Sequence, residues 1–167
     1  MALLRRFLRS EVPELRRQGV RVRSIGQVER LFPSAAAAVR WAEEETRDCS
    51  VLDLVLALSY GGRDEILDAV RSLLREGADP GTLDEESFRR RLYAPDVPDP
   101  DLLIRTSGEM RVSNFLLWQL AYTEIYMTEV LWPDFREDEF QRALAEYARR
   151  ERRFGLTAEQ VRAGGSR

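Results

Sequence analysis

The stretch DLLIRTSGEMRVSNFLLWQLAYTEIYMTEVLWPDF, residues 101–135, is the most informative part of the chain. A short apolar run at 102–104 leads directly into Arg105, and a Ser-Gly pair, Arg111 and Ser113 follow before a long apolar and aromatic run begins. Such polar groups are typical of α/β proteins, which bind ligands at the carboxyl ends of their parallel strands. The stretch therefore predicts an α/β fold with an anion site at this junction.

Two arginines and a hydroxyl group lie close together in the sequence at this junction. Arg105 ends the predicted strand, Arg111 follows six residues later, and Ser113 is a good N-cap for a further helix. The free amides and the positive dipole end of that helix would add to the guanidinium groups. Together they predict a diphosphate site. The alternative is that both arginines form ordinary ion pairs, with Glu109 and Asp134.

Glu124 begins the last predicted strand, eleven residues after Ser113, and we expect it at the edge of the same crevice. A carboxylate repels a diphosphate unless a cation lies between them, and a hard divalent ion such as magnesium would serve. An exposed Glu at a strand start is the alternative. The run 115–122 is apolar almost all round, which fits either core packing or an apolar tunnel for a hydrocarbon chain.

Apolar periodicity predicts helices and strands along the whole chain. The predicted helices cover 2–18, 35–48, 63–76, 84–92, 113–122 and 137–153, and the predicted strands cover 20–25, 51–60, 102–105 and 124–130. Pro13 is expected to bend or restart the first helix, and Pro33 with Ser34 to cap the second. The second strand is apolar apart from Asp53, as in a strand buried on both faces. The pattern predicts a mainly parallel sheet with helices on both faces.

Composition narrows the chemistry. The 167 residues are 44% hydrophobic and 33% charged, which is enough for one domain with a core, and the net charge of −3 gives no basic field for nucleic acid. The chain has no Lys and no His, which excludes Schiff-base chemistry, His bases and His metal ligands. A lone Cys49 fits a reducing cytoplasm. No apolar run approaches a membrane span, so we expect membrane contact to be peripheral at most.

Three blocks of the chain resemble one protein family. Residues 101–135 are similar throughout to the hallmark of the cis-prenyltransferases, the undecaprenyl diphosphate synthase family. The blocks ALSYGGR at 57–63 and RERRFG at 150–155 look like two further family blocks, and the resemblance covers essentially every residue up to Gly155. It implies a single truncated α/β domain over 1–155, a polar tail over 156–167, and an allylic chain held in a hydrophobic tunnel.

The resemblance also implies roles for particular residues. Arg105, Arg111 and Ser113 would bind the diphosphate of isopentenyl diphosphate, and Glu124 would help to hold a magnesium ion. Arg153 and Gly155 would form an Arg-x-Gly element that reaches the same substrate across a dimer interface. The implied reaction is head-to-tail condensation of isopentenyl diphosphate with an allylic diphosphate, which gives a cis-prenyl or polyprenyl diphosphate.

Family members of normal length begin with a further segment ahead of the position of Met1. That segment carries a Met-Asp-Gly-Asn-Gly-Arg-type block with the catalytic, magnesium-binding Asp, and no such block occurs in this sequence. We therefore expect the isolated chain to be inactive and to need a partner. Three interpretations stay open: a short subunit of a heteromeric cis-prenyltransferase, a non-catalytic partner that stabilises or regulates a prenyl-synthesising complex, and a fragment of an ordinary homodimeric enzyme. Gln27 also stands where an Asp is common in the family.

Overall fold

The computed structural model describes residues 2–150. They form two compact units, whose boundary in the sequence lies between Val97 and Pro98. Each unit contains helices and a two-stranded parallel sheet, so the predicted α/β class is confirmed. The predicted sheet is present as two separate parallel sheets within these residues. None of their helices has both the length and the apolar character needed to cross a membrane.

Two helices pack on the sheet of the first unit. Helix α1 covers Ala2–Arg17, strand β1 Val20–Ile25, helix α2 Pro33–Thr46 and strand β2 Leu52–Ala57. Their shared core is apolar and nearly inaccessible to water, and its burial stabilises the unit. Its members include Leu8, Val12, Val22, Ala35, Val39 and Ala42. Helix α1 runs unbroken past the exposed Pro13, and helix α2 begins at Pro33 itself, whose fixed φ suits the first helical position.

Strands β1 and β2 pair in parallel, with Arg21 directly opposite Asp53. The guanidinium group of Arg21 donates to both carboxylate oxygens of Asp53, at 2.6 and 2.7 Å. Arg23 lies 3.3 Å from the same carboxylate. These arginines, Arg21 first, lower the pKa of Asp53. The one acidic residue in an otherwise apolar strand is therefore a cross-strand ion-pair partner.

The two outer edges of this sheet differ. The amide of Val22 donates to Thr46 Oγ1 at 2.9 Å, and Ser24 Oγ donates to Glu43 Oε1 at 2.7 Å, so α2 covers the outer edge of β1. Among residues 2–150, β2 pairs with β1 alone, and its Leu52 is 58% exposed. The prediction that β2 is buried on both faces is wrong for the described residues, because its two end residues are exposed and the four between them are only partly buried.

A buried carboxylate organises the remainder of the first unit. Helix α3 covers Gly62–Arg75, and the short helix α4 covers Glu85–Arg89. Glu65 of α3 is only 2% exposed, and it accepts hydrogen bonds from Tyr60 Oη at 2.5 Å and from the amide of Tyr93 at 2.9 Å. The Glu65 carboxylate thus ties α3 to the segment that follows α4.

A second carboxylate explains the unusual residue at position 27. Asp68 accepts hydrogen bonds from Tyr93 Oη at 2.7 Å and from Gln27 Nε2 at 3.4 Å. An Asp at position 27 would bring two carboxylates together without a cation between them, which is unfavourable. The amide of Gln27 therefore suits the neighbour that this chain provides.

Tyr93 makes stability sensitive to alkaline pH. Partial burial and the hydrogen bond to Asp68 raise the pKa of Tyr93 to about 12, whereas an unfolded tyrosine titrates near 10. Its contribution is complete below about pH 10 and is lost as pH rises through about 12. We expect Tyr93→Phe to flatten the alkaline fall in the free energy of unfolding, measured by urea unfolding. Tyr147→Phe is the control, and an unchanged slope in Tyr93→Phe would contradict the assignment.

The second unit is built on strands β3, Leu102–Arg105, and β4, Glu124–Met127, and on helix α5, Glu137–Arg149. The strands pair in parallel, with Leu102 opposite Glu124. Acidic residues fill the first turn of α5 and Arg149 lies in its last turn, as the helix dipole favours. Helix α5 ends four residues before the predicted end, since Arg150 has an extended backbone.

Candidate functional site

The backbone around Arg105 is held by the segment that follows β4. Its carbonyl accepts from the amide of Thr128 at 2.9 Å, and the amides of Ser107 and Gly108 donate to the carbonyls of Val130 and Thr128 at 2.9 and 3.0 Å. Ser107 and Gly108 both have positive φ angles, of 68° and 66°. The Ser-Gly pair is therefore a hydrogen-bonded turn that fixes the direction of the following residues.

The turn brings four predicted or neighbouring polar side chains together. Arg105 Nη2 donates to Ser113 Oγ at 3.3 Å and lies 3.9 Å from Glu109 Oε2. Arg111 forms a close ion pair with the same Glu109 oxygen. The two predicted arginine ligands thus share one carboxylate, and the third predicted ligand, Ser113, contacts Arg105. The alternative of ordinary ion pairs is realised for Glu109, which serves both arginines.

Hydrogen bonding within this cluster is incomplete. Within the part of the chain that the structure describes, the Nε of Arg105 is shielded from water and has no hydrogen-bond partner, and Glu109 Oε2, despite its closeness to both arginines, accepts no hydrogen bond of good geometry. A buried polar atom without a partner costs about 1–3 kcal/mol. Of these two atoms only Arg105 Nε is a donor, so it is the one that could serve an oxygen-rich anion, whereas Glu109 Oε2 would repel such an anion.

The helix predicted to start at Ser113 is absent. Residues 111–123 form a series of turns, and Ser113, Asn114 and Leu116 have φ angles of +50°, +61° and +42°. These left-handed conformations are incompatible with a right-handed helix. The Ser113 side chain lies beside Arg105 as predicted, but no helix amides or dipole add to the site.

The side chains of 115–120 are partly exposed, and the structure adds nothing in favour of a tunnel.

Glu124 lies away from this cluster. Its register opposite Leu102 places it about 10 Å along the strands from the position of Arg105. Its carboxylate accepts from Arg150 Nη1 at 3.1 Å, and Glu146, followed by Glu124, raises the pKa of Arg150. The prediction that Glu124 shares the crevice edge with Arg105 is therefore wrong, because parallel pairing places the start of β4 at the amino end of β3.

The described residues do not form a complete magnesium site. No group of three potential ligands among carboxylates and Cys gathers anywhere in residues 2–150. Magnesium requires a near-octahedral set of oxygen atoms. Glu124 could supply one such oxygen, and only if Arg150 moved away from it.

The block RERRFG at 150–155 contains two predicted site residues and one residue, Arg150, that the sequence did not indicate. Arg153 and Gly155 lie outside the described residues. The sequence did not single out Arg150, although it starts the RERRFG block. Its guanidinium group donates to the carbonyl of Ile125 at 2.8 Å as well as to Glu124, so it fixes the carboxyl end of α5 to β4.

Comparison with known proteins shows the family of the chain. The undecaprenyl diphosphate synthase family model matches residues 1–155. The chain belongs to this family. Among its relatives, isoprenyl transferase 2 of Bradyrhizobium diazoefficiens is 52% identical over 157 residues, which are 92% of this chain and 62% of that protein. The isoprenyl transferase of Thermotoga maritima is 49% identical over 93% of this chain and 67% of that protein.

The family membership extends to three-dimensional structure. The crystal structure of lavandulyl diphosphate synthase from Lavandula x intermedia, in complex with dimethylallyl diphosphate, matches with a TM-score of 0.89 and 39% identity. The match covers 93% of this chain and 69% of that one. The chain thus spans 62% of the Bradyrhizobium relative and 67% of the Thermotoga relative.

Proposed function

We propose that this chain acts in cis-prenyl transfer and supplies the site for isopentenyl diphosphate. The observation that carries the proposal is the Arg105 guanidinium group, which contacts Ser113, shares Glu109 with Arg111, and finds no hydrogen-bond partner for its Nε among residues 2–150. Planar guanidinium groups suit the paired oxygens of phosphates. Family membership selects a prenyl diphosphate as the anion.

The proposed reaction divides into binding and bond formation. Arg105 and Arg111 pair with the diphosphate oxygens of isopentenyl diphosphate, and the hydroxyl of Ser113 donates a further hydrogen bond. The anchored diphosphate orients the isopentenyl double bond. That double bond attacks the allylic carbon of the second substrate as the bond from this carbon to oxygen breaks and diphosphate leaves, and loss of a proton from the isopentenyl unit completes the new cis-prenyl chain. Glu124 is our candidate for one of the ligands of a magnesium ion.

The remaining part of the active site comes, in this proposal, from a complementary family chain. The open edge of β2 and the exposed Leu52 support an added strand, because exposed apolar strand edges favour pairing. A heterodimer in which Arg153 and Gly155 reach the partner's substrate is our first choice, and a homodimer is the alternative. The lone Cys49 supports a reducing compartment, for which we propose the cytoplasm.

A rescue experiment tests this proposal. The chain is co-expressed with a full-length family member whose own Arg-x-Gly element is replaced by Ala. We expect no product from the isolated chain with isopentenyl diphosphate, an allylic diphosphate and magnesium, and clear product from the complex. Arg153→Ala in this chain should abolish the rescue, whereas the control Arg149→Ala on α5 should preserve it.

Three results would contradict the proposal. Turnover by the isolated chain would show that no complementary chain is needed. Failure of the two chains to elute together in size-exclusion chromatography would exclude the heteromer. Rescue by the Arg153→Ala chain would show that the C-terminal element does not reach the substrate of the partner.

A further inference from the structure

One side of helix α1 carries a row of arginines next to helix α2. Arg5, Arg9 and Arg16 are spaced by four and seven residues, which places them on the same side of α1. Arg16 forms an ion pair of 2.9 Å with Glu45 of α2. Arg5 and Arg9 are exposed, and no carboxylate within residues 2–150 lies at ion-pair distance from them. The boundary between the two helices therefore has balanced charge at one end and excess positive charge at the other.

The sequence of α2 explains this difference. Ala37, Trp41 and Glu45 are each four residues apart, so they lie on the same side of α2. Only the last of the three offers a carboxylate to α1. One and two turns earlier, α2 has an indole ring and a methyl group instead, and neither carries a charge that offsets those of Arg5 and Arg9.

A groove lies between the two helices at the end with excess positive charge. Its volume is about 760 Å³, and its lining residues are Arg5, Arg9 and Pro13 of α1 and Ser34, Ala37, Ala38 and Trp41 of α2. The small side chains of α2 leave the space open, and Trp41, which is 38% exposed, adds a broad apolar surface. The groove thus combines apolar contacts from α2 with two cations from α1.

We propose that this groove binds an acidic amphipathic helix of a partner protein. Arg5 and Arg9 are about one helical turn apart, so two carboxylates one turn apart on the partner helix pair with both. An apolar side chain next to these carboxylates enters the groove and packs on Trp41. The groove extends from Arg5 to Pro13, about 12 Å along α1, which matches two turns of the partner helix. The ion pair of Arg16 with α2 is an example of the same contact within the chain.

The shape of the groove favours a helix over a membrane surface. The cations line a recess between two helices, whereas a flat membrane meets the side chains that protrude. The protruding apolar residues of α1 are Leu3 and Phe7, which are 78% and 49% exposed. Helical spacing places them on the side of α1 opposite Arg5 and Arg9, so a flat surface cannot contact both sets at once. A helix in the groove contacts the arginines and Trp41 together.

Calorimetric titration of the full chain with designed peptides tests the proposal. The probe is a blocked peptide of four Glu-Leu-Ala-Ala repeats, which places carboxylates and leucines at helical intervals, and a Gln-Leu-Ala-Ala peptide is its uncharged match. Two exposed ion pairs contribute about tenfold to affinity. We expect the Glu peptide to bind about tenfold more tightly than the Gln peptide, and Arg5→Gln with Arg9→Gln to remove this difference.

Ala37→Glu tests the same site without removing an arginine. The new carboxylate lies on α2 inside the groove, where it pairs with the arginines of α1 as Glu45 pairs with Arg16. Glu is also a good helix former, so α2 should keep its structure. We expect this variant to bind the Glu peptide at least tenfold more weakly than the unmodified chain.

A control variant separates the groove from net charge. Arg17→Gln with Arg47→Gln removes the same charge as the Arg5 and Arg9 variant, but these arginines are already paired with Glu14 and Glu44, each at 2.6 Å. The control should bind the Glu peptide within threefold of the unmodified chain. Circular dichroism of each variant checks that the helices are intact, so that loss of folding is not read as loss of binding.

The outcomes separate cleanly. A preference for the Glu peptide that the Arg5 and Arg9 variant loses and the control keeps supports the proposal. Equal loss in both double variants would overturn it, because net charge alone would then explain binding. Equal binding of the two peptides, binding of neither, or full binding by the Ala37→Glu chain would also overturn it. Binding to vesicles of phosphatidylcholine with phosphatidylglycerol through the same arginines, without binding of the Glu peptide, would assign the groove to a lipid surface instead.

Discussion

Arg105→Ala is expected to weaken the binding of isopentenyl diphosphate to this chain about 100-fold. The substitution removes a guanidinium group that is half-buried, contacts Ser113, and has no partner for its Nε in residues 2–150. Hydrogen bonds to charged groups contribute about 1.5–3 kcal/mol each, and loss of a two-pronged contact therefore costs about 3 kcal/mol. Isothermal titration calorimetry with isopentenyl diphosphate measures the change directly.

Two further variants show whether the effect is specific. Arg142→Ala on α5 is the control, because Arg142 lies on the helix surface and pairs with Asp138 and Glu139. It should leave the affinity within threefold. Arg105→Lys keeps the charge and removes the planar fork, so we expect an intermediate loss. An Arg105→Ala chain that binds within threefold of the unmodified chain would show that Arg105 is no diphosphate ligand.

Gly26→Ala is expected to lower the free energy of unfolding by about 3 kcal/mol. Gly26 ends β1 with a φ of +99°, a conformation that L side chains rarely adopt. A Cβ there would lie 2.4 Å from the carbonyl oxygen of Leu58 and 3.0 Å from Tyr60 Cα, and backbone atoms cannot move aside cheaply. Backbone strain and overpacking each cost about 1–3 kcal/mol. Urea unfolding monitored by circular dichroism gives the value.

Gly77→Ala provides a matched control for Gly26→Ala. Gly77 also has a positive φ, of +69°, but no atom lies within 4 Å of a Cβ built there. It should therefore cost about 1 kcal/mol, the strain of the left-handed conformation alone. Equal losses at the two positions would mean that the close approach of the turns after β1 and β2 contributes nothing.

The local periodicity of apolar residues was sufficient to predict much of the secondary structure of the first unit. The apolar spacing in 2–18 predicted α1 because its buried residues, such as Leu8 and Val12, recur at helical intervals along one side. Alternation of valine and arginine in 20–25 predicted β1 for the same kind of reason. In both elements the pattern of the sequence and the environment in the fold agree.

The predictions from the sequence were wrong where contacts between residues distant in the sequence determine the structure. Residues 113–122 have helical composition, yet the positive φ angles at Ser113 and Asn114 prevent a helix there. The position of Glu124 depends on the register of β4 with β3, which neighbouring residues cannot specify. The apolar run of β2 predicted burial, but burial requires a neighbour, and the described residues supply only β1.

For the candidate site, the sequence indicated which residues to consider but not how they are arranged. The sequence singled out Arg105, Arg111 and Ser113, and in the structure Arg105 contacts Ser113 and shares Glu109 with Arg111. It could not show that one carboxylate contacts both arginines. That arrangement depends on the turn at Ser107 and Gly108, which is fixed by hydrogen bonds to the segment after β4.

Because Glu109 already contacts both arginines, an anion could bind to them only by displacing the Glu109 carboxylate. With no ligand bound, its carboxylate offsets part of the charge on Arg105 and Arg111 and reduces the repulsion between them. An incoming anion must do better than this carboxylate to displace it. A singly charged anion gains little by the exchange, whereas a diphosphate, with several charges and more acceptor oxygens, gains much. In the proposed site, Glu109 would therefore favour a multiply charged anion over a singly charged one.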